Sequence, residues 1–158
     1  MAITSTTTAD TVGGTITSTA YYNGSTLIDT LVYNASAGTV FCTGGIAAIT
    51  LSITDYLALL NFYVAFNTLI QFTYSPSQAQ TTPFSSITFQ QIDDGTSQLD
   101  FRFLPGSIPC FYYTCTYPSG TIAVTARALS TTLSYAQWLF FIYLLAQFKL
   151  AVLNDYNI

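Results

Sequence analysis

The chain contains no histidine and, by inspection, no glutamate; its cations are Arg102, Arg127 and Lys149 alone. Charged residues make up 6% of the sequence, against about 25% in an ordinary globular protein. Each absence excludes a class of function. Without His there is no imidazole to act as a base or to switch charge near neutrality, and no Ser–His or Cys–His nucleophile pair can be drawn. Three cations among seven acidic residues cannot neutralise a run of phosphates, so direct nucleic-acid binding is not expected. The three cysteines, Cys42, Cys110 and Cys115, form no CxxC pair. No zinc site, other metal or cofactor is therefore expected. An enzyme is not expected either: Asp93 and Asp94 are the one adjacent carboxylate pair, and Asp-Gly is accounted for by turn geometry.

The opening residues, MAITSTTTADTVGG, lack a basic segment and an apolar run; if Met1 is the native start, no conventional signal peptide is present. They read as a flexible Thr-rich arm over 1–13 that ends at Gly13 and Gly14.

What is present is apolar and uncharged. Hydrophobic residues make up 51% of the chain, and the net charge is −4. This excludes intrinsic disorder, which needs low hydrophobicity and high charge. It also implies a poorly soluble monomer. Ser, Thr, Tyr, Asn and Gln supply most of the polarity, and such a surface packs against a neighbour without burying ions.

The chain also reads as a repeat. Residues 14–36 (GTITSTAYYNGSTLIDTLVYNAS) align with 85–107 (SSITFQQIDDGTSQLDFRFLPGS) at an offset of about 71, and 44–72 align with 120–148 at about 76. Each half is expected to hold four strands and a long helix: 14–73 and 86–158, joined by a linker at 74–85 where Pro76 and Pro83 stand among small polar residues. Hairpin turns are expected at Asn23-Gly24 and Asp94-Gly95. Further strand pairs should turn at Gly44-Gly45 and at 118–120. Thr54 should cap the first helix, and Ser130 or Thr131 the second. The fold class is then α+β: duplicated ββββα units forming one antiparallel sheet, with two long apolar helices on one face. That element order resembles the PUR-type and Whirly-type nucleic-acid-binding folds and the antigen-presenting platform, without any of their motifs, so no family is assigned.

The second helix, YAQWLFFIYLLAQF over 135–148, is apolar almost all round, and a single sheet covers one side of a helix only. Three environments suit the remainder. The favoured one is further copies of the chain, making it a self-assembling structural protein: a virion capsid or coat subunit or an extracellular filament subunit whose partner is itself. The alternatives are a small membrane-associated protein using both helices and a compact ligand-binding dimer. Phe62, Phe66, Trp138, Phe140, Phe141 and Tyr143 are the expected assembly contacts. Arg102 and Arg127, which interrupt strand patterns, are candidates for ion pairing. Cys110 and Cys115 are the closest candidate disulfide pair. Asn23 and Asn34 match the N-glycosylation pattern, a match that abundant Ser and Thr produce by chance.

Overall fold

The computed structural model describes the backbone of residues 3–22, 26–44, 49–76, 86–92, 96–102, 109–116, 121–127 and 130–155, and side chains over 3–19, 27–44, 50–76, 131–150 and at 153. The architecture is α+β, with two helices and antiparallel five-stranded sheets. Strands β1 (Ile3–Asp10), β2 (Thr15–Tyr22), β3 (Thr26–Asn34), β4 (Thr39–Gly44) and β5 (Ile49–Ser52) precede helix α1 (Ile53–Tyr74). Strands β6 (Ser86–Ile92), β7 (Thr96–Arg102), β8 (Pro109–Thr116), β9 (Thr121–Arg127) and β10 (Ser130–Ser134) precede helix α2 (Tyr135–Asp155).

The Thr-rich opening is a strand, not a flexible arm: all eight residues of β1 pair with β2. Thr is β-branched and suits a pleated strand. Two similarly built turns follow in the first half. Asp10 accepts from the backbone N–H of Val12 and Gly13 through Oδ1, and Gly14 N–H returns to the Asp10 carbonyl at 2.9 Å with φ +74°. Asn34 Oδ1 likewise accepts from Ser36 Oγ and Ala37 N, and Gly38, at φ +64°, returns to the Asn34 carbonyl at 2.8 Å. The left-handed conformation at the fifth position of each turn is where glycine carries no Cβ penalty.

The described part of the core is built by alternation. Ile16 on β2, Leu31 and Tyr33 on β3, and Val40 and Cys42 on β4 are buried, while Phe41 faces out. Between β2 and β3 the register shifts: Ala20 opposes Asp29 and Tyr21 opposes Leu27, so Ile28 is the extra residue of a bulge. The bulge lets two successive side chains, Ile28 and Asp29, turn inward.

The sheets differ from expectation in number and membership. One has the order β1-β2-β3-β4-β10 and the other β5-β9-β8-β7-β6. There are two sheets in place of one, and five strands precede each helix in place of four. The pair expected to turn at Gly44-Gly45 does not form. β4 pairs with β10, and β5 crosses to pair with β9. The expected offset also misplaces elements: it lays β2 on β6, although β2 is second in its sheet and β6 is an edge. In a chain so rich in Ser and Thr, a few identities accumulate at many offsets. The hairpin turns at Asn23-Gly24 and Asp94-Gly95, the 118–120 turn and most of the linker lie outside the described residues. The strands flanking the three turns pair as hairpins.

Both helices start one position beyond a strand, at serine caps. Ser52, not Thr54, caps α1, its Oγ accepting from Asp55 N at 3.1 Å. Ser130 and Thr131 lie in β10, and Ser134 takes the capping role for α2. There Ser134 Oγ accepts from Gln137 N at 3.1 Å while Gln137 Oε1 accepts from Ser134 N at 2.9 Å, a reciprocal capping box. α1 ends at Ser75, in the left-handed region at φ 44°, whose N–H reaches the Gln71 carbonyl; Pro76 then prevents continuation. α1 packs on β1 and β2 of one sheet and on β5 and β9 of the other; α2 packs on β4 and β10 of the first and β7 of the second.

Candidate assembly surface

The helices run antiparallel along a shared seam. Tyr63 and Phe66 meet Trp138 edge-on at 5.6 and 5.9 Å between ring centroids. One end further along, Tyr56 meets Phe148 edge-on at 5.9 Å, and its hydroxyl donates to the Leu145 carbonyl at 2.7 Å. At the start of α2, the Tyr135 hydroxyl lies 2.6 Å from Asn67 Oδ1 and 3.0 Å from Gln71 Oε1. Tyr63 donates to Asp29 Oδ2, tying α1 to the bulge in β3. This seam explains most of the apolar character of the helices: two sheets and a partner helix cover more of each cylinder than one sheet can.

Tyr33, Tyr74 and Tyr135 form a second cluster, with Tyr33 5.7 Å from Tyr74 and 6.0 Å from Tyr135. Burial pushes the Tyr135 hydroxyl up to about 12, with the neighbouring Tyr33 adding to the effect. Burial likewise raises Tyr33, with Tyr74 as the second cause. Both effects have the same origin, the cost of a phenolate away from water.

The residues expected to mediate assembly separate into three groups. Phe66, Trp138 and Phe141 are core residues, each 1% exposed, and are not available to a neighbour. Phe62 is half-buried against the core. Phe140 and Tyr143 remain outside at 37% and 55% exposure, their rings stacked at 6.0 Å with an interplanar angle of 10°. Gln147 and Leu150 continue the same stripe of α2 at helical spacing. The outer face of α1 is more polar, with Asn61, Val64, Ala65, Thr68, Gln71 and Phe72. A shallow groove of about 510 Å³ lies there, lined by Asn67, Thr68, Gln71, Phe72 and Ser75.

Other expected sites are placed as follows. Arg102 and Arg127 end β7 and β9, and their side chains lie outside the described residues. Cys110 and Cys115 stand on the one strand β8, five residues apart, which separates their Cα atoms by about 16 Å at strand rise. A disulfide spans less than about 7 Å, so that pairing is corrected. Cys42 is buried in the core. Asn23 lies outside the described residues, and Asn34 organises the β3–β4 turn through its side-chain oxygen. Among the described residues no group of three His, Cys, Asp or Glu side chains comes together.

The seam's polar bonds are what sequence reasoning did not foresee. Asn67, Gln71 and Gln137 are visible in the sequence as the polar breaks in the helices. Their partners, Tyr135 for the first two and Ser134 for the third, follow only once the helices are placed. One helix of the described residues, α1, is long and apolar enough to cross a membrane by length and composition, and 39% of that window is buried within the fold.

No family model matches the chain. No curated protein matches it.

Proposed function

We propose that the chain is a self-assembling structural subunit, of a virion coat or an extracellular filament, built as a tandem duplicate. The observation that carries the assembly reading is the stacked pair Phe140–Tyr143, standing outside a core that already has its aromatics, in a chain with 6% charged residues. Aromatic side chains are enriched in the buried centres of interfaces, and there is little charge here to oppose association.

Three correspondences support the duplication. Elements of the second half begin 81 to 83 residues after those of the first: Ile3 and Ser86, Thr15 and Thr96, Thr26 and Pro109, Thr39 and Thr121, Ile49 and Ser130, Ile53 and Tyr135. At an offset near 82, Thr50-Leu51-Ser52 falls on Thr132-Leu133-Ser134, and the caps Ser52 and Ser134 coincide. The seam contacts are reciprocal at that offset. Phe66–Trp138 corresponds to Phe148–Tyr56 and Tyr63–Trp138 to Leu145–Tyr56, the signature of a two-fold relation in which i meets j and j meets i. β5 and β10 are then the equivalent strands that each half gives to the other's sheet.

Replacing Phe140 and Tyr143 together by Asp tests the reading: the wild type should sediment as a large particle or fibre and the double variant as a smaller folded species. A wild type that sediments as one chain contradicts it. The length and apolarity of α1 favour a membrane-associated second reading; a species that stays in solution only with detergent would replace the first reading by that one.

A further inference from the structure

Among the described residues the two sheets end on four edge strands, β1 and β10 in one and β6 and β5 in the other. They are not alike. β5 and β10 have four and five residues and run straight into helices, which is one way proteins protect an edge. β1 and β6 have eight and seven residues. Neither contains Lys, Arg or Pro, and Asp10, at the end of β1 and engaged by its own turn, is the one charged residue in the two strands. Their ladders with β2 and β7 run without a register shift, whereas the β2–β3, β7–β8 and β8–β9 ladders each carry one. Along β1, Thr4, Thr6, Thr7, Thr8, Ala9 and Asp10 are exposed. Common protections of an edge, namely shortness, proline, lysine and a bulge, are thus missing from both long strands.

Resting on the self-assembly reading, we propose that β1 of one copy pairs edge to edge with β6 of a second copy, so that a sheet of one chain continues into a sheet of the next. An unpaired row of backbone N–H and C=O groups is satisfied along its length by another extended strand. A second copy brings such a strand with no like charge facing its own, although each chain carries a net charge of −4. Because β1 and β6 are different strands, the contact is head to tail. Every added chain leaves one long edge of each kind free, so the array grows instead of closing as a dimer.

The test uses two variants of the full chain and their mixture, both variants carrying Phe140→Asp and Tyr143→Asp so that the outer stripe of α2 is silent. Thr6→Lys with Thr8→Lys guards the β1 edge, and Thr88→Lys with Gln90→Lys guards the β6 edge. Circular dichroism and thermal melting establish that each is folded, and sedimentation velocity reads its size. Pairing of β1 with β6 predicts that each variant alone is a single chain and that an equimolar mixture forms a dimer of one of each, through the one intact β1 and the one intact β6. Dimers from each variant alone mean that like edges pair, and overturn the proposal. Edge variants no smaller than their Phe140→Asp, Tyr143→Asp parent overturn edge pairing while leaving helix-mediated assembly standing. A wild type that is a single chain removes the assembly reading and this proposal together. If a variant does not fold, amide hydrogen exchange on wild-type assemblies decides: residues 3–10 and 86–92 should exchange more slowly in the assembly than in the dissociated chain, and equal exchange overturns the proposal.

Discussion

At the scale of single residues, the fold depends on positions where one side chain settles a conformation. A Cβ at Gly13 would lie 2.2 Å from Asp10 Oδ2, so Gly13→Ala should expel the Asp10 carboxylate from its turn. The loss of its two backbone hydrogen bonds should cost about 1–2 kcal/mol, read as a lower urea midpoint; an unchanged midpoint would show that the Asp10 turn contributes nothing. The tyrosines set the pH range. The fold favours the neutral phenol at Tyr135 and Tyr33, raising both above the ordinary value of 10.0. Their contribution is therefore whole below the unfolded value and is lost as pH rises through the folded one, which for Tyr135 is about 12. With no His to titrate, stability should be nearly flat around neutrality and fall between about pH 10 and 12. Tyr135→Phe should reduce that alkaline loss, as measured by denaturant unfolding across a pH series; an identical alkaline limb would remove Tyr135 from the account. The flat neutral range was legible from the missing His, but the alkaline limb was not, because a Tyr among 12 gives no sign of which one lies beneath a helix seam.

At the scale of elements, most of the strands and both helices were legible because β-branched runs, turn dipeptides and long apolar stretches are local signals, while β1 and β10 were not. The exchange of β5 and β10 was not, since nothing within ITLS or STTLS says which sheet it will join. The Thr-rich β1 was misread for a related reason: its partner β2 stabilises it, and its own residues bury little beyond Ile3. Adjacent phenylalanines on α2 show how far helical position outweighs residue type. Phe141→Asp places an unpaired carboxylate in the core, where it should cost several kcal/mol and prevent folding. Phe140→Asp, at 37% exposure, should fold with a melting temperature close to wild type. Far-UV dichroism and melting separate the two; equal damage from both would mean that Phe140 belongs to the core. The serine caps offer a matched pair. Ser52→Ala and Ser134→Ala should each lose about 1 kcal/mol, and similar losses from denaturant midpoints are what equivalent places in two related halves imply.

At the scale of the whole molecule, a run of strands followed by a long helix, twice over, was legible as an order of elements, and the register of the proposed duplication was not. Thr50-Leu51-Ser52 and Thr132-Leu133-Ser134 are a short match in a chain crowded with Thr and Ser. The burial of Leu51 with Leu133, Tyr56 with Trp138 and Phe66 with Phe148 is what makes an offset near 82 stand out. The low charge, legible from the first reading, bears on assembly more directly than any single site. In the proposed assembly, the outer stripe of α2 and the edges β1 and β6 are the two surfaces through which identical copies would meet. The most direct measurement is the molar mass of the purified full chain at neutral pH without detergent, by sedimentation and light scattering. Self-assembly predicts particles or fibres many times the 17.2 kDa of one chain; a stable species of 17.2 kDa across the accessible concentration range would contradict it.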